Sequence, residues 1–263
     1  MTTLILSERI SVESSQMGQA ALRSGWGTTR VGWTGNDLIP DSLVFYGEPL
    51  FAAVVAEQMG HVLLEPRFDW LATLPRSVTK REIGYYLSLE ALEEHVEFPS
   101  FVKPADLKSF PAAVYHSMVE LRKAIPDEYA EGKTPEAGIL VSGVVEWSRE
   151  YRVFIRDTEM TVSAYKRDGV LDTSSTVEER YEVAKEVMDI LHLAPDVAPA
   201  FVLDIGLHNK GGWAVVEANP CWGSGLYECD PDVALRVVQR ACRPKKGLTE
   251  EDARWVFRRE ELE

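Results

Sequence analysis

Three oxygen-bearing side chains draw attention in the last third of the chain. Residues 201–206 (FVLDIG) and 213–220 (WAVVEANP) read as two strands joined by a polar turn, residues 207–212. Side chains alternate along a strand, so Trp213, Val215, Glu217 and Asn219 are expected to face one way and Ala214, Val216 and Ala218 the other. Glu217 and Asn219 then share a face, and Asp204 stands beside them in an otherwise apolar strand. Carboxylates that emerge from a buried hairpin are costly unless something pairs with them. Nearby Lys or Arg side chains are one possible partner. A hard dication is the other: Mg²⁺ takes carboxylate, amide and phosphate oxygens and commonly uses only one or two protein carboxylates. The following Asn219-Pro220 sharpens the metal alternative.

Two further groups of residues bear charge in apolar surroundings. Lys103 ends an apolar run, FVKP, that Pro104 stops from continuing. It either snorkels to solvent or aims a point charge at phosphate oxygens. Lys108 follows in a turn with Ser109, Phe110 and Pro111 and could add a second phosphate contact. In the run EYRVFI, Glu150, Arg152 and Phe154 share a face, so Glu150 and Arg152 form either a solvated ion pair or part of a polar, ligand-facing surface. The next strand brings Tyr165, Lys166 and Arg167 to the end of the same sheet, a local concentration of positive charge of the kind an anion site requires.

These groups must be positioned by regular elements, and the apolar pattern predicts them. Residues 3–6 read as a strand, and Met17, Ala20, Ala21 and Leu22 lie at helical spacing in a helix that stops at Gly25. Residues 29–33 and 42–46 read as strands, and PLFAAVVAEQM, residues 49–59, as a helix opened by proline and closed by Gly60. A short strand, HVLLE, follows at 61–65, and helices are expected at 71–74 and 80–94. Alternating strands and helices predict a small parallel α/β unit over residues 1–95.

From residue 99 the texture is α+β. Strands are expected at 101–103, 138–145, 151–156, 161–166, 199–206 and 213–219, and helices at 112–124 and 176–191. In the second helix Val177, Tyr181, Ala184, Val187 and Met188 form the expected core stripe. A final helix over 249–261 would open on a capping box of Thr249 with Asp252. The expected division is residues 1–95, 96–243 and a C-terminal helix over 244–263.

Composition narrows the function classes. The 263 residues are 45% hydrophobic and 27% charged, enough to bury a sizeable core. Asp and Glu number 42 against 28 Lys and Arg, a formal charge of −14 that disfavours a nucleic-acid partner. No apolar stretch approaches membrane-spanning length and no basic-then-apolar start is present, so a cytoplasmic protein without a membrane partner is expected. Cys221, Cys229 and Cys242 lack the spacing of a zinc site and read as reduced thiols.

The order FVKP, VVEW, EYRVFI, SAYKRDG, FVLDIG and VVEANP resembles the ATP-grasp superfamily, over roughly residues 79–243. It resembles in particular the clade in which a customary arginine is replaced by lysine, here Lys166. The resemblance implies an ATP-grasp fold, two α+β lobes gripping ATP, preceded by a small α/β domain. It implies ATP and Mg²⁺ as cofactors. Lys103 and Lys108 would contact the nucleotide phosphates, and the stretch from Ser142 to Glu146, with Val144 and Val145, would be a hinge presenting its backbone to adenine. Glu146 would meet the ribose, and Trp147 would wall that pocket. Asp204, Glu217 and Asn219 would hold one or two Mg²⁺ ions, with Glu217 bridging. Arg152 and Lys166 would face the γ-phosphate or an acyl phosphate.

The activity so implied is that of a ligase that converts a carboxylate to an acyl phosphate for attack by an amine, on small-molecule or peptide substrates. A small-molecule kinase and a non-catalytic ATP-binding domain are the alternatives. One departure bears on the choice: many members close a glycine-rich loop over the phosphates, whereas PADLKSFPAAVY after Lys103 contains no glycine. Lys108, Ser109 and Phe110 are the expected substitute. The glycines of CWGSGLY, residues 221–227, suit a tight turn beside the acceptor.

Overall fold

The computed structural model describes residues 1–33, 42–105, 109–126 and 138–256. Its N-terminal unit is a three-stranded parallel sheet in the order β2–β1–β3, built from β1 (Thr2–Ser7), β2 (Gly27–Val31) and β3 (Ser42–Tyr46). Helix α1 (Val12–Arg23) opens on Ser11, whose hydroxyl accepts from the Ser14 amide, and buries Met17, Ala20 and Ala21 as expected. Helix α2 (Pro49–Gln58) has proline in its first turn and an apolar face of Phe51, Ala52, Val55 and Ala56. Strand β4 (His61–Leu63) forms at the expected place but outside the parallel sheet. It pairs antiparallel with β14 (Cys242–Pro244), so the end of the described chain returns to its beginning.

Short helices α3 (Trp70–Thr73) and α4 (Arg76–Thr79) lead into a four-stranded sheet of order β5–β8–β6–β7: β5 (Ile83–Tyr86), β6 (Ser100–Pro104), β7 (Ala113–Tyr115) and β8 (Ile139–Ser142). Helices α5 (Leu89–His95) and α6 (Met118–Ala124) cover one face around Leu92, Val102, Leu121 and Val141. Two expected helices are shorter than the pattern suggested. The run 80–94 gives up Ile83–Tyr86 to pairing with β8, and its helix starts only after Ser88, whose hydroxyl caps the Ala91 amide. Likewise Ala113–Tyr115 pairs with β6, and α6 begins after the cap at Ser117. In both places a β-prone stretch next to a Ser cap is taken up by a neighbouring strand, a tertiary choice that overrides local periodicity.

The last layer is a five-stranded sheet of order β11–β10–β9–β12–β13, all antiparallel: β9 (Trp147–Arg156), β10 (Glu159–Arg167), β11 (Val170–Leu171), β12 (Ala200–His208) and β13 (Trp213–Asn219). Helix α7 (Val177–Leu193) carries a complete capping box of Thr176 and Glu179. Its buried residues are Val183, Val187 and Ile190, whereas Val177 and Tyr181 are 68% and 76% exposed. The expected stripe is therefore corrected: two apolar faces exist on this helix, and docking beside β10 selects the one spaced 183, 187, 190. Helix α8 (Pro231–Ala241) is strongly amphipathic and packs Ala234, Leu235, Val237 and Val238 under β9, β10 and β12. Helix α9 (Glu250–Ala253) is a single turn capped by Thr249, and residues 257–263 of the longer expected helix lie outside the described residues. The Asp252 carboxylate bonds Arg240 and Arg243 instead of completing the capping box.

A single apolar cluster runs from Leu4, Phe45 and Val55 through Trp222 to Phe154, Phe201 and Val237. The N-terminal sheet and the five-stranded sheet are thereby packed into one core. Phe45→Ala and Phe154→Ala, each at a fully buried ring, are expected to lose about 3–5 kcal/mol and to keep a single unfolding transition. Urea denaturation followed by both tryptophan fluorescence and far-UV circular dichroism checks this, and two separated transitions would contradict it.

Candidate functional site

Three adjacent strands set charged residues side by side. Asp204 on β12 is the register partner of Arg152 on β9 and of Glu217 on β13. Asp204 is wholly buried, and Arg152 grips it with two hydrogen bonds, Nε to Oδ1 at 2.9 Å and Nη2 to Oδ2 at 2.7 Å. This fork geometry is the strong form of an arginine–carboxylate pair. Burial pushes the Asp204 carboxyl up to about 6 against the pull of Arg152. Burial disfavours the Arg152 charge as well, but Asp204 outweighs it and holds the guanidinium above its usual range.

The fourth charge comes from the other sheet. Lys103, near the end of β6, places its Nζ 2.5 Å from Glu217 Oε2. Burial raises the Glu217 carboxyl, yet the Lys103 ammonium prevails and brings it down to about 2. Asn219 Nδ2 donates to Glu217 Oε1 at 3.1 Å and lies 3.3 Å from Asp204 Oδ2, so Asn219 bridges the two carboxylates. The strand alternation expected for this hairpin is interrupted: Asp204 opposes Glu217 while Ile205 opposes Val215, which leaves Val216 as a bulge. Glu217 and Asn219 keep their shared face, but Val215 no longer belongs to it.

A second charged group surrounds Glu150, which is 5% exposed. Its Oε2 accepts from the Tyr165 hydroxyl at 2.6 Å, and its Oε1 lies 3.3 Å from Lys166 Nζ. Burial raises the Tyr165 phenol, with Asp204 and Glu150 adding to the effect. Tyr165 stacks on Tyr227 at 5.3 Å, and both Arg152 and Lys166 lie over its ring, at 5.6 and 5.1 Å. Tyr165 thus links Lys166 to the Arg152 group. Sequence reasoning put Lys166 and Arg152 on one surface but did not single out Tyr165 or Tyr227; two tyrosines separated by 62 positions carry no local signal.

The hinge segment is held differently. Residues 143–146 have no regular structure, and Glu146 is tied to the β12–β13 turn, its carboxylate accepting from Asn209 Nδ2 at 2.6 Å and its carbonyl from the Asn209 amide at 3.1 Å. Trp147 lies edge-on to His208 and under the Arg81 guanidinium, 5.3 Å from its ring centre. A Cβ on Gly206 would fall 2.6 Å from the Trp147 ring, so glycine at 206 is what admits that ring. Lys108 lies outside the described residues.

The family model of the ATP-grasp domain, R-to-K clade, second family, matches residues 78–237, more than half of the chain. This chain belongs to the ATP-grasp superfamily. Solved structures agree on the fold. A RimK domain protein ATP-grasp from Sphaerobacter thermophilus DSM 20745 aligns at TM-score 0.53 and 17% identity, covering 92% of this chain and 99% of that one. D-cycloserine synthetase DcsG aligns at 0.55 and 14%, covering 91% and 99%. The D-alanine–D-alanine ligase of Bacillus anthracis aligns at 0.53 and 10%, covering 92% and 97%. At these identities the likeness is one of fold. No curated protein matches the chain by sequence.

Within this ATP-grasp chain the expected contact residues divide between two cavities. One, of about 650 Å³, is lined by Lys103, Arg152, Glu217 and Asn219 and closed by Glu13 and Leu50 of the N-terminal unit. The other, of about 870 Å³, has Val144 and Val145 on its wall together with Lys80, Arg81 and Lys210. The loop 221–227 borders the first cavity and is firmly held: Trp222 Nε1 donates to Leu64 O at 2.9 Å, and Tyr46 donates to Ser224 O at 2.8 Å. Cys221 is buried, and burial raises its thiol well above the usual value, which leaves it no nucleophilic role. No described helix is long and apolar enough to cross a membrane.

Among the described residues no group of three or more His, Cys, Asp or Glu side chains is gathered as a metal cage. The ATP-grasp donor set here is instead two carboxylates and one amide, Asp204, Glu217 and Asn219, an all-oxygen set that suits Mg²⁺ when nucleotide phosphates supply the remaining ligands. Each carboxylate also has a cation beside it, so both partners foreseen for them, basic side chain and dication, meet at one place. Removing the fully buried member of this group should be the more damaging change. Asp204→Asn strands the Arg152 charge and is expected to destabilise by about 3–5 kcal/mol. Glu217→Gln, at a side chain 29% exposed, should lose less. Thermal and urea unfolding of the two variants measures the difference, and equal losses would contradict it.

Proposed function

We propose that the chain is an ATP-dependent ligase that activates a substrate carboxylate as an acyl phosphate and passes the acyl group to an amine. The observation that supports this most is the meeting of Lys103 and Glu217 at 2.5 Å, beside the Arg152–Asp204 pair, on the wall of a cavity that the N-terminal unit also lines. Two cations and two carboxylates are balanced there. A triphosphate would draw on Lys103 and Arg152, and the carboxylates they release would need a cation in return, so nucleotide and Mg²⁺ are expected to enter together. Mg²⁺ when bound to Asp204, Glu217 and Asn219 would neutralise phosphate charge.

In this scheme the chain mainly positions and neutralises. Lys103 would hold the phosphates as a point charge, and Arg152 would offset charge on the transferring phosphoryl group, the contribution that often dominates such chemistry. Lys166, anchored by Glu150, would act from the neighbouring strand. The hinge from Ser142 to Glu146 would present its backbone to adenine, with Trp147 as a wall and Glu146 at the ribose. The substrate carboxylate would attack the γ-phosphorus and release ADP; the amine nitrogen would then attack the acyl carbon and expel phosphate. Small molecules and peptides both fit a cavity of about 650 Å³. The D-cycloserine synthetase and D-alanine–D-alanine ligase likenesses agree with this reading at the level of fold.

ADP release from Mg-ATP in a panel of paired carboxylates and amines tests the proposal. Turnover is expected only when both substrates are present. Glu217→Gln is expected to lower kcat by roughly 10²–10³-fold, about 3–4 kcal/mol. Turnover with the carboxylate alone and a stable phosphorylated product would make the chain a kinase. Nucleotide binding without any turnover would make it a binding domain. Separately, calorimetry should find ADP bound at least about tenfold more weakly in EDTA than with Mg²⁺, since the carboxylates then lack their incoming cation. Equal affinity in the two conditions would remove Asp204 and Glu217 from the metal site.

A further inference from the structure

Arg81 has no part in the scheme above, yet its position is unusual. It lies two residues after α4 and two before β5, and it is 9% exposed. Its guanidinium is directed at backbone: Nη1 donates to Val215 O at 2.8 Å and to Thr79 O at 3.0 Å, and Nη2 donates to Val216 O at 3.0 Å. β13 is an edge strand of its sheet, so carbonyls on its outer side have no strand partner. Val215 and Val216 are also the two residues at the bulge. One arginine therefore takes up the backbone acceptors at the one irregular point of β13, immediately before Glu217.

The cost of keeping a charge there is visible. Burial lowers the Arg81 guanidinium to about 10, with Glu217 pulling the other way, and its Nε has no hydrogen-bond partner among the described residues. The same guanidinium covers the Trp147 ring, which occupies the space beside Gly206. Arg81 thus touches the strand of Glu217 and the hinge tryptophan while belonging to the segment that enters the sheet of Lys103.

We propose that Arg81 is a positioning residue for the nucleotide–metal site, holding the β13 bulge so that Glu217 stands opposite Asp204 and within reach of Lys103. A one-residue slip along a strand turns every following side chain to the other face. The bulge is the point at which β13 could slip, and a fork of two N–H groups on successive carbonyls opposes it. Lysine, a single point donor, cannot replace that fork. The functional part of the inference rests on Glu217 being a metal ligand, as proposed above; the structural part does not.

Arg81→Lys and Arg81→Met test it, with near-UV circular dichroism to establish folding; if the methionine variant does not fold, the lysine variant carries the test. Hydrogen exchange is expected to show amides of β13 losing at least about tenfold in protection while those of α7 stay unchanged. By calorimetry, the gain in ADP affinity on adding Mg²⁺ should shrink by about 10–100-fold, the usual effect of removing a support behind a metal ligand. ADP affinity in EDTA should change little, a split that general loosening of the fold would not give. Wild-type exchange in β13 together with a wild-type Mg²⁺ gain would overturn the inference. If the unaltered protein itself shows no Mg²⁺ gain, the metal proposal fails, and the exchange result alone then upholds or rejects the role of Arg81 in β13.

Discussion

Two pairs of opposite charges, Arg152 with Asp204 and Lys103 with Glu217, stand between two sheets, and much of the architecture serves to keep them there. A buried carboxylate without a partner is among the costliest arrangements a protein can contain, and a buried pair is tolerable only if its remaining lone pairs are also met. Adjacent register positions on β9, β12 and β13 bring Arg152, Asp204 and Glu217 together, and Asn219 supplies the donor between the carboxylates. Lys103 comes from the other sheet. The position of one lobe against the other is consequently part of the electrostatic balance.

Around this centre the chain builds walls from distant segments. The N-terminal unit shares its core with the five-stranded sheet, and the loop 221–227 is fastened to it through Trp222 and Tyr46. The cavity beside Lys103 is therefore bounded on one side by charge and on the other by residues far away in the sequence, such as Glu13 and Leu50. A formal charge of −14 over the whole chain coexists with this cationic patch, because field at a site follows the nearest charges more than their sum.

The hinge side is organised by backbone rather than by charge pairs. Asn209 ties Glu146 to the β12–β13 turn, and Arg81 ties the entry of β5 to β13. Both contacts cross between lobes, one at the connection and one at the sheet edge, so the connection of the lobes is braced near each end of the β12–β13 hairpin.

Much of this was legible in the sequence. Strand periodicity placed Glu217 and Asn219 on one face with Asp204 beside them, and that survived the bulge because a bulge displaces only residues on its far side. The parallel N-terminal unit followed from its alternation of strands and helices, and the order of motifs from FVKP to VVEANP pointed to the ATP-grasp family that the match over residues 78–237 bears out. Those features are local, and local spacing determines them. Tertiary contact decided the rest: that Ile83–Tyr86 and Ala113–Tyr115 are strands, that α7 buries Val183 and Ile190 while leaving Tyr181 in solvent, that Tyr165 and Tyr227 stack, and that Arg81 reaches β13 across 134 positions. The physical reason is the same each time. A β-prone stretch, an amphipathic helix with two apolar faces or a lone arginine is compatible with several partners, and only the element that packs against it selects one.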